Sequence, residues 1–191
     1  MKKLLSLIVA LVLACTLTGA CAEQQTESIF ELFDGVEWYF ASGAGAWSTD
    51  LSILSDGSFV GAYHDSDMGD IGDGYPDGTI YVCVFSGKFS VTEENDYLKL
   101  HVDELKVEEP DEEEKIEDGV RYVFTESYGI KLGDTFVIYA PGYSADAFTD
   151  DMLFWSHLQD SEDTLYELDT WFLWNENGES GFVGELPETE S

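Results

Sequence analysis

The chain has 191 residues, with 40 acidic, 8 basic and 3 histidine side chains and a formal net charge of −32 at pH 7. A field of that sign repels phosphate backbones and anionic lipid headgroups, which excludes a nucleic-acid partner. Hydrophobic residues make up 44% of the chain and aromatics 14%, far too many for a disordered acidic tail. The length suits one domain with a core of its own.

The N-terminus reads as an address. Lys2 and Lys3 precede the apolar run Leu4 to Ala14, which is too short to cross a bilayer comfortably and is flanked like a signal peptide. Small residues Gly19 and Ala20 then stand directly before Cys21. The stretch LTGAC resembles the lipobox of bacterial lipoproteins, with Thr18 where a leucine is usual and Leu17 one place earlier. The resemblance implies that residues 1–20 are a signal peptide and that Cys21 carries lipid. Residues 21–27 then form a tether, residues 28–186 the domain and residues 187–191 a disordered tail. It also implies a lipid-anchored protein on the extracytoplasmic face of the cell membrane, touching the membrane through the anchor only. The alternatives are a cut before Cys15, which leaves the apolar run very short, and an ordinary secretory signal cut near Ala20 or Ala22.

The domain then reads as strands. Ser28 and Glu31 have capping-box spacing around the apolar SIFELF, predicting one or two helical turns ended by Gly35. VEWYF (36–40) is the first strand. WSTDLSI (47–53) alternates apolar and polar residues, the period of a half-buried strand. Asp56-Gly57 marks a turn into FVGAYH (59–64). A long strand follows at 79–91, with Gly87 at a bend or bulge, and another at 97–105. Residues 107–119, rich in acids and holding Pro110, predict a solvated loop. Strands resume at 120–124 and 135–140. Residues 144–158 predict a helix capped by Asp146. A hairpin at 170–186 turns at Asn177-Gly178. About nine short strands with one or two short helices make the chain mainly β. They predict a single antiparallel meander barrel or a sandwich.

Two further resemblances bear on this body. Gly45-Ala46-Trp47 is similar to the Gly-x-Trp of lipocalin-like barrels, where the tryptophan plugs the closed end of the barrel. That family also packs an arginine from its last strand on the tryptophan, and Arg121 is not placed there. The lipocalin-like resemblance implies a carrier of a small hydrophobic ligand. Residues 42–79, around HDSDMGD, resemble a segment of uncharacterised bacterial lipoproteins, which brings no activity with it.

The densest candidate site is HDSDMGDIGDGYPDG (64–78). Asp65, Asp67, Asp70 and Asp73 on a glycine-jointed loop offer the oxygen ligands that calcium wants. In an EF-hand register from Asp65, however, Gly69 and Asp70 are interchanged, and Pro76 stands where the bidentate glutamate belongs. Any calcium site here is of another kind, and calcium is the one cofactor the sequence suggests. The plainer reading gives these residues to turns. His64, Tyr75 and Trp47 are candidate binding contacts beside that loop. The three histidines have no zinc spacing, and Ser144 lacks the surroundings of a nucleophile elbow. With Cys15 removed and Cys21 lipidated, Cys83 is alone within an apolar strand and reads as a buried thiol. No catalytic motif is found, so no enzyme is expected. The expectation is a lipid-anchored binding or interaction module whose partner is a ligand, a protein or a cell-envelope component. The alternatives are a carrier and a calcium-stabilised structural domain.

Overall fold

The computed structural model describes residues 29–95, 97–108, 113–158 and 167–186. Cys15, Cys21, Ser28, Pro110 and the tail at 187–191 lie outside them. Among the described residues are ten strands: β1 (Glu37–Ala41), β2 (Trp47–Ile53), β3 (Ser58–Asp67), β4 (Thr79–Glu94), β5 (Tyr97–Val107), β6 (Glu114–Glu117), β7 (Val120–Phe124), β8 (Thr135–Tyr139), β9 (Trp171–Asn175) and β10 (Ser180–Glu185). One helix, α1 (Asp150–Trp155), lies between β8 and β9, and a helical turn occupies 29–31. None of these helices is long and apolar enough to cross a membrane.

Eight strands close into an antiparallel barrel in the order β1, β2, β3, β4, β5, β8, β9, β10. The sequence left barrel and sandwich open; the β1–β10 and β3–β4 pairings decide for the barrel. Its stagger can be followed around the wall. Cys83 lies opposite Tyr63, Tyr63 opposite Thr49 and Thr49 opposite Phe40. Extending the β1–β10 and β5–β8 registers by one residue each carries the row through Phe182, Leu173, Ile138 and Leu98. It re-enters β4 at Glu93, well down the strand from Cys83. A barrel of eight staggered strands is narrow enough for side chains to fill. They do fill it: Trp38, Phe40, Leu51, Phe59, Phe85, Phe89, Leu100, Phe136 and Phe182 are all buried in one continuous core.

Both ends are closed by the chain itself. At the lower end the helical turn inserts Phe30 and Phe33, and Phe33 meets Trp38 and Trp171 edge-on at 5.2 and 5.3 Å. At the upper end, the mouth, residues 125–134 cross between β7 and β8 and bury Ile130. A second, smaller core lies outside the wall. There Met152 of α1 and Phe148 cover Val137, Tyr139, Phe172 and Val183.

Several expectations need correction. The helix begins at Asp150, not near 144, because the hydroxyl of Thr149 rather than Asp146 accepts the Met152 N–H, at 3.3 Å. The acidic run holds a strand. β6 is exposed along its whole length, so its charges stay in water while β7 supplies the backbone pairing. β7 runs parallel to the start of β4, beside the barrel rather than in it. In the last hairpin the left-handed residue is Glu179 (φ 50°). Asn175 Oδ1 accepts the N–H groups of Asn177 and Gly178 at 2.9 and 3.1 Å and shapes the turn. Trp38, not Trp47, plugs the lower end; Trp47 stands at the mouth, and Arg121 lies on β7.

Candidate functional site

The aspartate segment is built around an internal cation. β3 runs on through Asp67, so only 68–78 is loop. Asp67 Oδ1 accepts the N–H groups of Gly69 at 2.9 Å and Asp70 at 3.2 Å, folding the first turn. The Asp70 carboxylate pairs with the guanidinium of Arg121, which reaches over from β7. Arg121 Nε donates to Thr79 Oγ1 at 3.1 Å, and that hydroxyl donates to the Asp70 carbonyl at 3.0 Å. The guanidinium also sits 4.7 Å over the Tyr75 ring, within cation–π range. The only arginine in the chain thus answers the charge crowding that the sequence left unpaired.

The four candidate calcium ligands do not converge. Asp67 caps its own turn and Asp70 faces Arg121. Asp65 stays on β3 opposite Trp47 and Tyr81, and Asp73 is exposed on the loop. Among the described residues no group of three or more His, Cys, Asp or Glu side chains is placed to hold a metal ion. The three predicted binding contacts also separate. Tyr75 lies under Arg121, and His64 Nδ1 lies 3.2 Å from Ser48 Oγ on the outer wall. Only Trp47 belongs to the mouth.

The mouth gathers the most distinctive chemistry. Tyr128, carried by the plug, packs against Phe40, Trp47 and Tyr63 with ring centroids 5.7, 5.2 and 5.4 Å apart. Trp155 arrives from the end of α1 and meets Phe40 at 4.7 Å and Trp47 at 6.1 Å. Gly181 makes that approach feasible, since a Cβ there would lie 2.8 Å from that of Trp155. Tyr128 is 48% exposed and Phe154, next to Trp155, is 51% exposed.

Polar side chains hold the plug from below. Thr49 Oγ1 donates to the Tyr128 carbonyl at 2.9 Å. Asn175 Nδ2 and Ser180 Oγ donate to the Gly129 carbonyl at 3.1 and 2.8 Å. Asn175 Nδ2 also donates to Asp134 Oδ2 at 2.8 Å, which takes the Lys131 N–H at 2.8 Å as well. Thr49, Asp134, Asn175 and Ser180 are all buried. Gly129 (φ +82°) is needed twice, for its left-handed backbone and because a Cβ would lie 2.7 Å from the Phe40 ring.

Between the plug, the β9–β10 turn and Trp155 lies a cleft of about 220 Å³. Its lining includes Phe40, Tyr128, Trp155, Asp134, Lys131 and Glu179. Burial, Asp65 and Tyr128 hold the Tyr63 phenol above its ordinary pKa. Burial and then Glu126 do the same to the Cys83 thiol, so Cys83 rests as an inert, protonated group.

Sequence reasoning missed Tyr128 because it lies between strands, where no periodicity reports packing. It read Trp155 only as part of a helix face. No protein-family model matches the chain, and no curated protein or solved structure is found to match it.

Proposed function

We propose that this protein is a lipid-anchored, extracytoplasmic binding module that meets its partner at the plugged mouth of the barrel. One observation carries the reading. The barrel interior is occupied by its own side chains, while Tyr128 and Phe154 at the mouth stay about half in water. Large exposed ring faces are costly to leave in water and are common where proteins bind. The orientation agrees. The described chain starts at the lower end, and the eight steps along the chain from Cys21 to Ile29 span at most about 28 Å. An anchor at Cys21 would therefore keep the lower end near the membrane and turn the mouth away from it.

The carrier reading needs an interior that can empty, and the packed core of phenylalanines and Trp38 weighs against it. A polarity-sensitive fluorescent fatty acid separates the two readings. A carrier takes it up one to one with a blue-shifted, saturable signal. The binding module does not, and saturable uptake would overturn this proposal. Detergent-phase partition and mass spectrometry of the full chain against Cys21→Ser test the anchor. The expected result is a lipid-sized mass and partition into detergent for the wild type only.

A further inference from the structure

We infer that the cleft at the mouth is a site for a small organic cation, an alkylammonium or guanidinium head. The inference rests on the reading of the mouth as the binding surface and names the chemistry it would take. Three features converge on one sign of charge. The cleft is lined by Tyr128, Trp155 and Phe40, with Phe40 stacked on Tyr128 at 5.7 Å and edge-on to Trp155 at 4.7 Å. Aromatic faces present negative potential and attract cations, most strongly where water is partly excluded. Two carboxylates, Asp134 and Glu179, lie at the same cleft against one exposed ammonium, Lys131. Asp134 is buried and held in place by Asn175 at 2.8 Å, so its charge is fixed rather than free to swing into solvent.

Size narrows the ligand further. Drug-sized ligands take clefts of about 300–1,000 Å³, and this one offers about 220 Å³. It suits one cationic head with a few methylenes. The formal charge of −32 draws cations towards the surface at a distance and repels anions. A neutral sugar would gain the rings and donate hydroxyls to the carboxylates, but it would lack the charge attraction that a cation adds. An anion would meet Asp134 and Glu179. The same chemistry could come from a free amine or from a lysine or arginine side chain of a partner protein.

The test is a titration of the intact mature chain, followed by tryptophan fluorescence and by NMR shifts of residues 128–134 and 175–180. The probes are choline, its neutral isostere with a tert-butyl group in place of trimethylammonium, N-acetyl-argininamide, and a short arginine-containing peptide. Saturable shifts are expected for the three cations, weakening as salt is raised, with the neutral isostere at least about fivefold weaker. Tyr128→Leu should weaken the cations about fivefold or more. Glu179→Gln, which keeps shape and removes charge at an exposed turn, should weaken them about threefold and flatten the salt dependence. A peptide much tighter than N-acetyl-argininamide identifies the source as a protein side chain; equal affinity identifies a free amine. Equal binding of the neutral isostere, no shift with any probe, or affinities unmoved by both variants would overturn the cation site. Those results would leave the binding-module reading to the fatty-acid experiment, which does not involve this cleft.

Discussion

Trp38 and Trp47 lie on neighbouring strands and share the inward-facing register of the barrel, at opposite ends of it. At the lower end, Phe33 closes edge-on over Trp38, and the indole is 1% exposed. At the mouth, Trp47 meets Tyr128 and Trp155, whose outer faces remain in water. The lower end is sealed by apolar contact of Phe33 with Trp38 and Trp171. The mouth is sealed by a loop held through hydrogen bonds from Thr49, Asn175 and Ser180. An apolar seal optimises stability. A hydrogen-bonded loop leaves the Tyr128 ring half exposed, at a modest cost to the fold.

The largest expected effect is therefore at the lower end. Phe33→Ala should destabilise the domain by about 3–5 kcal/mol, because a buried ring is lost and its cavity cannot collapse onto two indoles. Tyr128→Ala should cost about 1 kcal/mol or less, as the ring is half exposed. Urea denaturation of both variants measures the difference. Equal losses would mean that the mouth is as much a part of the core as the base.

Gly129→Ala should cost about 1–3 kcal/mol, from left-handed strain and contact with Phe40. It should also lower tryptophan fluorescence anisotropy at the mouth if the plug loosens. An unchanged midpoint would show that the plug is not fixed by its backbone.

Arg121→Ala should lower the Tm by less than Gly129→Ala does, since it strips the partly buried Asp70 of its partner and Tyr75 of its cation. Because the Asp70 carboxylate already has Arg121 as its partner, chelator should leave the Tm of the wild type unchanged. A rise of several degrees with added calcium would return an ion to the loop.

The smallest effect concerns the wall between the two ends. Burial, followed by Glu185, pushes the Tyr39 phenol up to about 12, and burial, followed by Tyr97, does the same for Tyr139. A folded pKa above the ordinary 10 favours the neutral phenol in the folded state. That stabilisation is complete below pH 10 and is lost as the pH rises towards 12. A spectrophotometric titration should show these tyrosines ionising late in the native chain and normally in urea. Native ionisation near pH 10 would show that the wall is open to solvent.

Most of the fold was legible because strand periodicity is local. WSTDLSI alternates in sequence as it does in the barrel wall, and Gly57 (φ +81°) turns the β2–β3 hairpin as its neighbours suggested. β6 was illegible because a strand exposed on every residue has no apolar face to announce it. The start of α1 was misplaced because Asp146 and Thr149 are both fair caps in sequence, and only the backbone decides which of them accepts the Met152 N–H. The site was legible only in Trp47. Tyr128 comes from a loop and Trp155 from a helix, and nothing in their neighbourhoods says that they will meet over Phe40.

By itself the sequence determined a β-rich acidic domain, because alternation, turn residues and charge are properties of short segments. Only the tertiary structure decided between barrel and sandwich, since that choice depends on β10 finding β1. It also decided the fate of HDSDMGDIGDGYPDG. The cation that settles Asp70 lies far along the chain at Arg121, and charge pairing across such a distance is a consequence of how the strands come together.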